Sequence, residues 1–127
     1  MRKAVVIGLV GLAVLGVALA LAEDAPFATA IVCTGVKDRT PEGAAERFPA
    51  SVGQLTCFSE IRGGRDKVVH VWYHGDREVR RVELPVKAER WRTWSVKNVA
   101  ATMTGPWRVD VVDADGKVLA SSTFVVE

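Results

Sequence analysis

Leucine is scarce beyond residue 22: Leu55, Leu84 and Leu119 are the three that occur, against 17 valines. That ratio speaks against a helical domain, because branching at Cβ restricts rotamers in a helix but packs well on a pleated surface. The chain has two Cys and two His, with no C-x-x-C spacing and no finger-like order of Cys and His. A thiol redox centre and a structural zinc site are therefore disfavoured. No G-x-S-x-G elbow surrounds Ser59, Ser95, Ser121 or Ser122, and neither His begins a metalloprotease pattern, so no catalytic constellation is legible and no cofactor is expected. Charge of one sign is also missing. Lys plus Arg number 17 against 15 acids, and the excess of +2 belongs to Arg2 and Lys3. Residues 23–127 are neutral, which removes the basic signature of a nucleic-acid binder. Those 105 residues hold no internal repeat and suffice for one small domain with one core.

What is present begins with a long apolar run. Residues 4–22 carry no charge, with 16 apolar residues and three Gly. They follow the positive Met1-Arg2-Lys3 and end in the A-x-A arrangements Ala18-Leu19-Ala20 and Ala20-Leu21-Ala22. This pattern predicts an export signal cut after the small residues. The alternative is a retained single-pass anchor, since 19 apolar helical residues approach the roughly 30 Å of a bilayer core. Either way the positive end stays inside and residue 23 onward faces outward, in the periplasm or outside the cell. Contact with a membrane is expected through residues 4–22 alone, if they are uncut. The predicted division is 1–22 as signal or anchor helix, 23–29 as a short linker and 30–127 as the folded domain.

Export bears on Cys33 and Cys57. In an oxidising compartment the expectation is a disulfide between them, closing a loop of roughly 25 residues worth about 3 kcal/mol. Two separate buried thiols are the alternative.

Turn residues divide the rest into short strands. The predicted strands are 28–36, 52–61, 68–74, 78–86, 91–98, 107–113 and 117–126. A polar connection spans 37–49, with one helical turn at most in Glu42–Glu46. Asp113-Ala114-Asp115-Gly116 predicts the clearest hairpin, with Gly116 in the left-handed conformation. Seven short strands without a long amphipathic helix predict an all-β fold, an antiparallel immunoglobulin-like sandwich. Alternation assigns Trp107, Val109 and Val111 to its core.

The runs Cys57-Phe58-Ser59-Glu60-Ile61, His70-Val71-Trp72-Tyr73-His74, Arg90-Trp91-Arg92-Thr93-Trp94-Ser95 and Gly105-Pro106-Trp107-Arg108-Val109 through Asp115-Gly116 are distinctive. They resemble the bacterial family called domain of unknown function 2914, over most of residues 30–127. The resemblance implies a β-rich fold beyond an N-terminal signal or membrane segment. It supplies no activity and no catalytic residue to carry over.

Three surfaces are candidates for binding. His70, Trp72 and His74 share one face of a strand; residues four apart lie roughly 13 Å apart, too far to hold one metal ion together. The plainer reading is a core face. Residues 77–94 carry Arg77, Arg80, Arg81, Lys87, Arg90 and Arg92, interleaved with Glu78, Glu83 and Glu89 and with Trp91 and Trp94. Here a cationic and aromatic platform for a sugar or an anionic polymer competes with a ladder of guanidinium groups lying on indoles. Asp110, Asp113 and Asp115 could hold calcium, although such a D-x-D-G turn is more often hairpin chemistry.

The expected function is a non-catalytic binding or interaction module of the cell envelope, its partner an envelope protein or a polysaccharide and not nucleic acid. The candidate ligand surface is His70, Trp72, His74, Trp91, Arg92 and Trp94. The alternative is a carbohydrate-binding module using exposed Trp and Arg, and a small envelope enzyme is the remaining reading.

Overall fold

Valine-rich alternation gives strands throughout the computed structural model, which describes residues 25–127. In chain order they are β1 (Phe27–Ala28), β2 (Ile31–Cys33), β3 (Gly35–Lys37), β4 (Thr40–Glu42), β5 (Arg47–Phe48), β6 (Gln54–Arg62), β7 (Lys67–His74), β8 (Arg77–Pro85), β9 (Arg90–Asn98), β10 (Gly105–Asp113) and β11 (Val118–Val126). A 3-10 turn at Ala50–Val52 precedes β6. The signal or anchor predicted for residues 1–22 lies outside the described residues.

The fold is all-β and mostly antiparallel. In the first sheet β6 is central, with β1 and β2 along one side and β9 along the other. The second sheet has the order β5-β11-β10-β7-β8, and its one parallel pair is β5 with β11. The β3–β4 hairpin stands apart. Gly75 (φ 59°) turns β7 into β8, and Gly116 (φ 87°) turns β10 into β11 as predicted, beside a bulge at Val111/Val112.

The N-terminal third departs from expectation. The single strand predicted over 28–36 is broken into β1, β2 and β3. At the break the Thr29 side chain substitutes for a ladder bond: its Oγ1 accepts from the Glu60 amide at 3.0 Å while the Glu60 carbonyl accepts from the Thr29 amide at 3.1 Å. Phe27–Ala28 already pair with Arg62 and Ile61, inside the stretch expected as a linker. The polar connection 37–49 forms β4 and β5 rather than a helical turn. β5 is legible only in three dimensions, because its partner β11 is the last strand.

Both sheets contribute to one cluster of buried side chains: Val32, Leu55 and Cys57 from the first, Trp72, Trp107, Val109, Phe124 and Val126 from the second. A second cluster around Ile61, Val68 and Val111 continues it toward the other end. Trp107, Val109 and Val111 are buried as their alternation predicts. Asp110, on the opposite face, is covered too, and its Oδ1 accepts from Ser121 Oγ at 2.6 Å and Arg108 Nε at 3.1 Å.

The expected Cys33–Cys57 bridge is not formed; both cysteines are buried and free. Register supplies the reason. Val32 stands opposite Cys57 and Cys33 opposite Thr56. Directly opposed residues share a face and neighbours alternate, so the two thiols leave the sheet on opposite sides. Cys57 points into the core, where burial pushes its thiol up to about 12. Burial raises the Cys33 thiol as well, against hydrogen bonding to the backbone at Gly35 and Glu42. The Cys33 thiol donates to the Gly35 carbonyl at 3.2 Å.

Candidate ligand-binding cleft at the edge of the first sheet

β9 is the open edge of the first sheet, and its alternation sorts two chemistries. Trp91, Thr93 and Ser95 turn toward the core with Ile61, Ser59 and Cys57 of β6. Arg90, Arg92 and Trp94 turn outward, opposite Arg62, Glu60 and Phe58. Arg62 and Arg90 as direct neighbours would repel. Glu60 offsets this by accepting from three guanidinium groups: Arg90 Nε at 3.1 Å, Arg92 Nε at 3.3 Å and Arg62 Nε at 3.3 Å. Partial desolvation works to raise the Glu60 carboxyl, but the bonds from Arg90, Arg92 and Arg62 outweigh it and hold it below its ordinary range. One carboxylate thus orders three arginines and leaves the group with a positive balance.

Next to them the indole of Trp94 lies nearly parallel to the ring of buried Phe58, with centroids 6.3 Å apart and an interplanar angle of 13°. Trp94 remains 39% exposed. Phe58 supports one side of the indole.

A cleft of about 660 Å³ runs past these side chains. Nine residues line it; four of them, Arg39, Lys87, Arg90 and Arg92, are cationic, none is acidic, and Trp91 and Trp94 supply its aromatic surface. Arg39 arrives from the two-residue turn between β3 and β4, where Asp38 (φ 52°) and Arg39 (φ 58°) are both left-handed. For an L-residue with a side chain that conformation costs about 1–2 kcal/mol. Part of what holds it is Arg92, whose Nη1 donates to the Arg39 carbonyl at 3.4 Å. Two other depressions mix signs: one is lined by Glu46, Arg47, Asp76 and Arg108, the other by Arg65, Asp66, Asp113 and Asp115 among others.

The six residues expected to form a ligand surface separate into two groups. Trp91, Arg92 and Trp94 meet in the cleft. His70 and Trp72 are fully buried, because the face of β7 that carries them is the core face. A binding surface built on Trp72 is thereby corrected. His74 sits at the end of β7, where its Nε2–H donates to the Thr104 carbonyl at 2.7 Å and its ring tilts against Trp107 at 4.8 Å.

His70 spans the space between the sheets. Its Nε2 is 2.8 Å from Ser59 Oγ on β6 and its Nδ1 is 2.7 Å from Ser95 Oγ on β9. Ser95 Oγ also accepts from Trp72 Nε1 at 3.0 Å. Burial lowers the imidazole to about 4, so it is neutral near pH 7. A neutral ring has one donor and one acceptor, so one serine accepts from it and the other donates to it. Ser59, His70 and Ser95 are all buried, which leaves a substrate no route to this pair of hydroxyls.

The ladder of guanidinium groups on indoles is replaced by the Glu60 cluster. The cation–π contact that does form places Arg108 over Tyr73, at 4.2 Å from the ring centroid. At the β10–β11 turn Asp113 Oδ1 accepts from the amides of Asp115 and Lys117, both at 2.9 Å, so this acid closes the hairpin. Among the described residues no three His, Cys, Asp or Glu converge as metal ligands. Sequence reasoning missed Arg39, which lines the cleft from the β3–β4 turn, and also Phe58 and Glu60, which stand behind Trp94 and Arg92 on β6 and join them only through strand pairing.

Residues 65–126 match the model of the family described as Protein of unknown function (DUF2914), and this region of the chain belongs to that family. The match holds β7 to β11 and therefore most of the cleft, while Cys57–Ile61 lie outside it. No curated protein matches the chain.

Proposed function

We propose that the protein is an exported, non-catalytic binding module of the cell envelope that takes its ligand in the β9 cleft. The observation carrying this reading is the single-signed lining: four cations and two indoles in one depression, with no acid among the lining residues. Export rests on the uncharged run 4–22 behind Arg2 and Lys3 and its small-residue ends. The domain then lies in the periplasm or outside the cell, free if the run is cut and anchored if it is kept. The burial of Ser59, His70 and Ser95 supports a role without catalysis.

An immunoglobulin-like sandwich is the scaffold we infer. It is supported by strand order, with β6 and β9 in one sheet and β11-β10-β7-β8 in the other. The buried Trp72 on β7, packed in one cluster with Cys57 of β6, adds to it.

Two measurements test the proposal. A reporter enzyme that is active only outside the cytoplasm, fused after Glu127, should be active in cells; an inactive fusion overturns export. In 15N-labelled protein, the indole N–H signals of Trp91 and Trp94 should move on titration with cell-envelope polysaccharide while those of Trp72 and Trp107 stay. Signals of Trp91 and Trp94 unmoved by any envelope fraction would remove the binding reading.

A further inference from the structure

We infer that the β9 cleft selects an acidic polysaccharide, one whose sugar rings carry carboxylates. This inference rests on the binding reading above and names its ligand class. Each guanidinium has five N–H donors in a planar fork suited to carboxylate oxygens. Arg90 uses Nε and Nη2 on Glu60, and Arg92 uses Nε on Glu60 and Nη1 on the Arg39 carbonyl. Both are oriented by these bonds and keep donors for a ligand. Lys87, which also lines the cleft, forms no ion pair among the described residues and adds an unneutralised charge.

The aromatic part distinguishes a sugar from other anions. Trp94 presents an indole already supported from behind by Phe58, so stacking a ring on it requires little ordering. Trp91 lies on the other face of β9, half-buried, so the two indoles border the cleft from either side of the strand rather than forming one flat platform. One ring stacked on Trp94, with its carboxylate toward Arg90 and Arg92, fits this arrangement. An acidic peptide would meet the same guanidinium groups but has no sugar ring to stack on Trp94.

The test uses the full chain, purified as cells release it or in neutral detergent if it stays in the membrane. Polygalacturonate is the probe, with its fully methyl-esterified, uncharged form as the matched control and polyglutamate as the acidic peptide. The inference expects polygalacturonate to bind and to weaken as salt is raised, with the ester and polyglutamate at least about tenfold weaker. Lys87→Ala should lose about fivefold and Trp94→Ala roughly tenfold, each checked for an unchanged melting curve. Equal binding of the ester would overturn the acidic ligand and leave the binding module standing. Equal binding of polyglutamate, or no effect of Trp94→Ala, would overturn the sugar. No binding of any probe overturns the inference, and the indole titration with envelope fractions then decides whether the wider reading survives.

Discussion

His70 on β7 and Ser95 on β9 hydrogen-bond at 2.7 Å across the space between the two sheets, and the same hydroxyl accepts from Trp72. Ser95→Ala therefore leaves two buried groups without a partner, whereas Ser59→Ala leaves one ring nitrogen. Each orphaned buried group costs about 1–3 kcal/mol, so urea unfolding should show a larger loss for Ser95→Ala, about 2–4 kcal/mol. The reverse ranking would mean that Ser59 carries the bridge.

Acid should weaken the fold through the same imidazole. In the unfolded chain His70 takes its proton near 6.5, in the fold only near 4. Between these values the unfolded state binds more protons, so this contribution is complete above about pH 6.5 and declines as pH falls toward 4, by about 3 kcal/mol. The carboxyls held low, Glu60 and Glu83, act in a separate window below about 4.5. Stability against pH for His70→Gln should lack most of the decline between 6.5 and 4; an unchanged curve would assign it elsewhere.

Both thiols should be silent in the folded protein and titrate on unfolding without reductant. A thiolate is the reacting species, and burial disfavours it at Cys57 and Cys33 alike. Protein unfolded in a thiol reagent that yields no free thiol would restore the bridge.

Gly116→Ala places a Cβ on a residue at φ 87°. The expected loss is about 1 kcal/mol, read as a lower melting temperature with the β-type circular dichroism retained. No loss would mean that the hairpin can adopt another turn.

Glu60→Gln removes the carboxylate that partly neutralises Arg62, Arg90 and Arg92. Polygalacturonate binding should tighten about threefold at low salt, while the melting temperature falls slightly because the three guanidinium groups then repel. A weakened affinity would show that Glu60 acts chiefly by orienting the arginines.

The six long strands were legible because they are rich in β-branched and aromatic residues and most are bounded by Gly, Pro or Asp. Alternation also placed Trp107, Val109 and Val111 inward. It could not say which face of β7 is the inner one, since Val69 and Val71 are as apolar as Trp72, and both faces of that central strand are buried. The pairs Glu60 with Arg92 and His70 with Ser95 join residues 32 and 25 positions apart, a separation at which no local pattern operates. β1 to β5 were misread for the same reason: strands of two or three residues exist only where a distant strand offers them bonds.

The parallel pairing of β5 with β11 governs when the domain can close. Glu127 N donates to the Phe48 carbonyl at 2.9 Å, Ala50 N donates to the Glu127 carbonyl at 2.7 Å, and Arg47 Nη1 meets Glu127 Oε2 at 3.0 Å. Phe124 and Val126, which fill the core beside Phe48, come from the same last strand. During synthesis, everything before β11 must therefore wait with an open core. Closure of the domain is thus timed by a strand that is made after the other ten described strands.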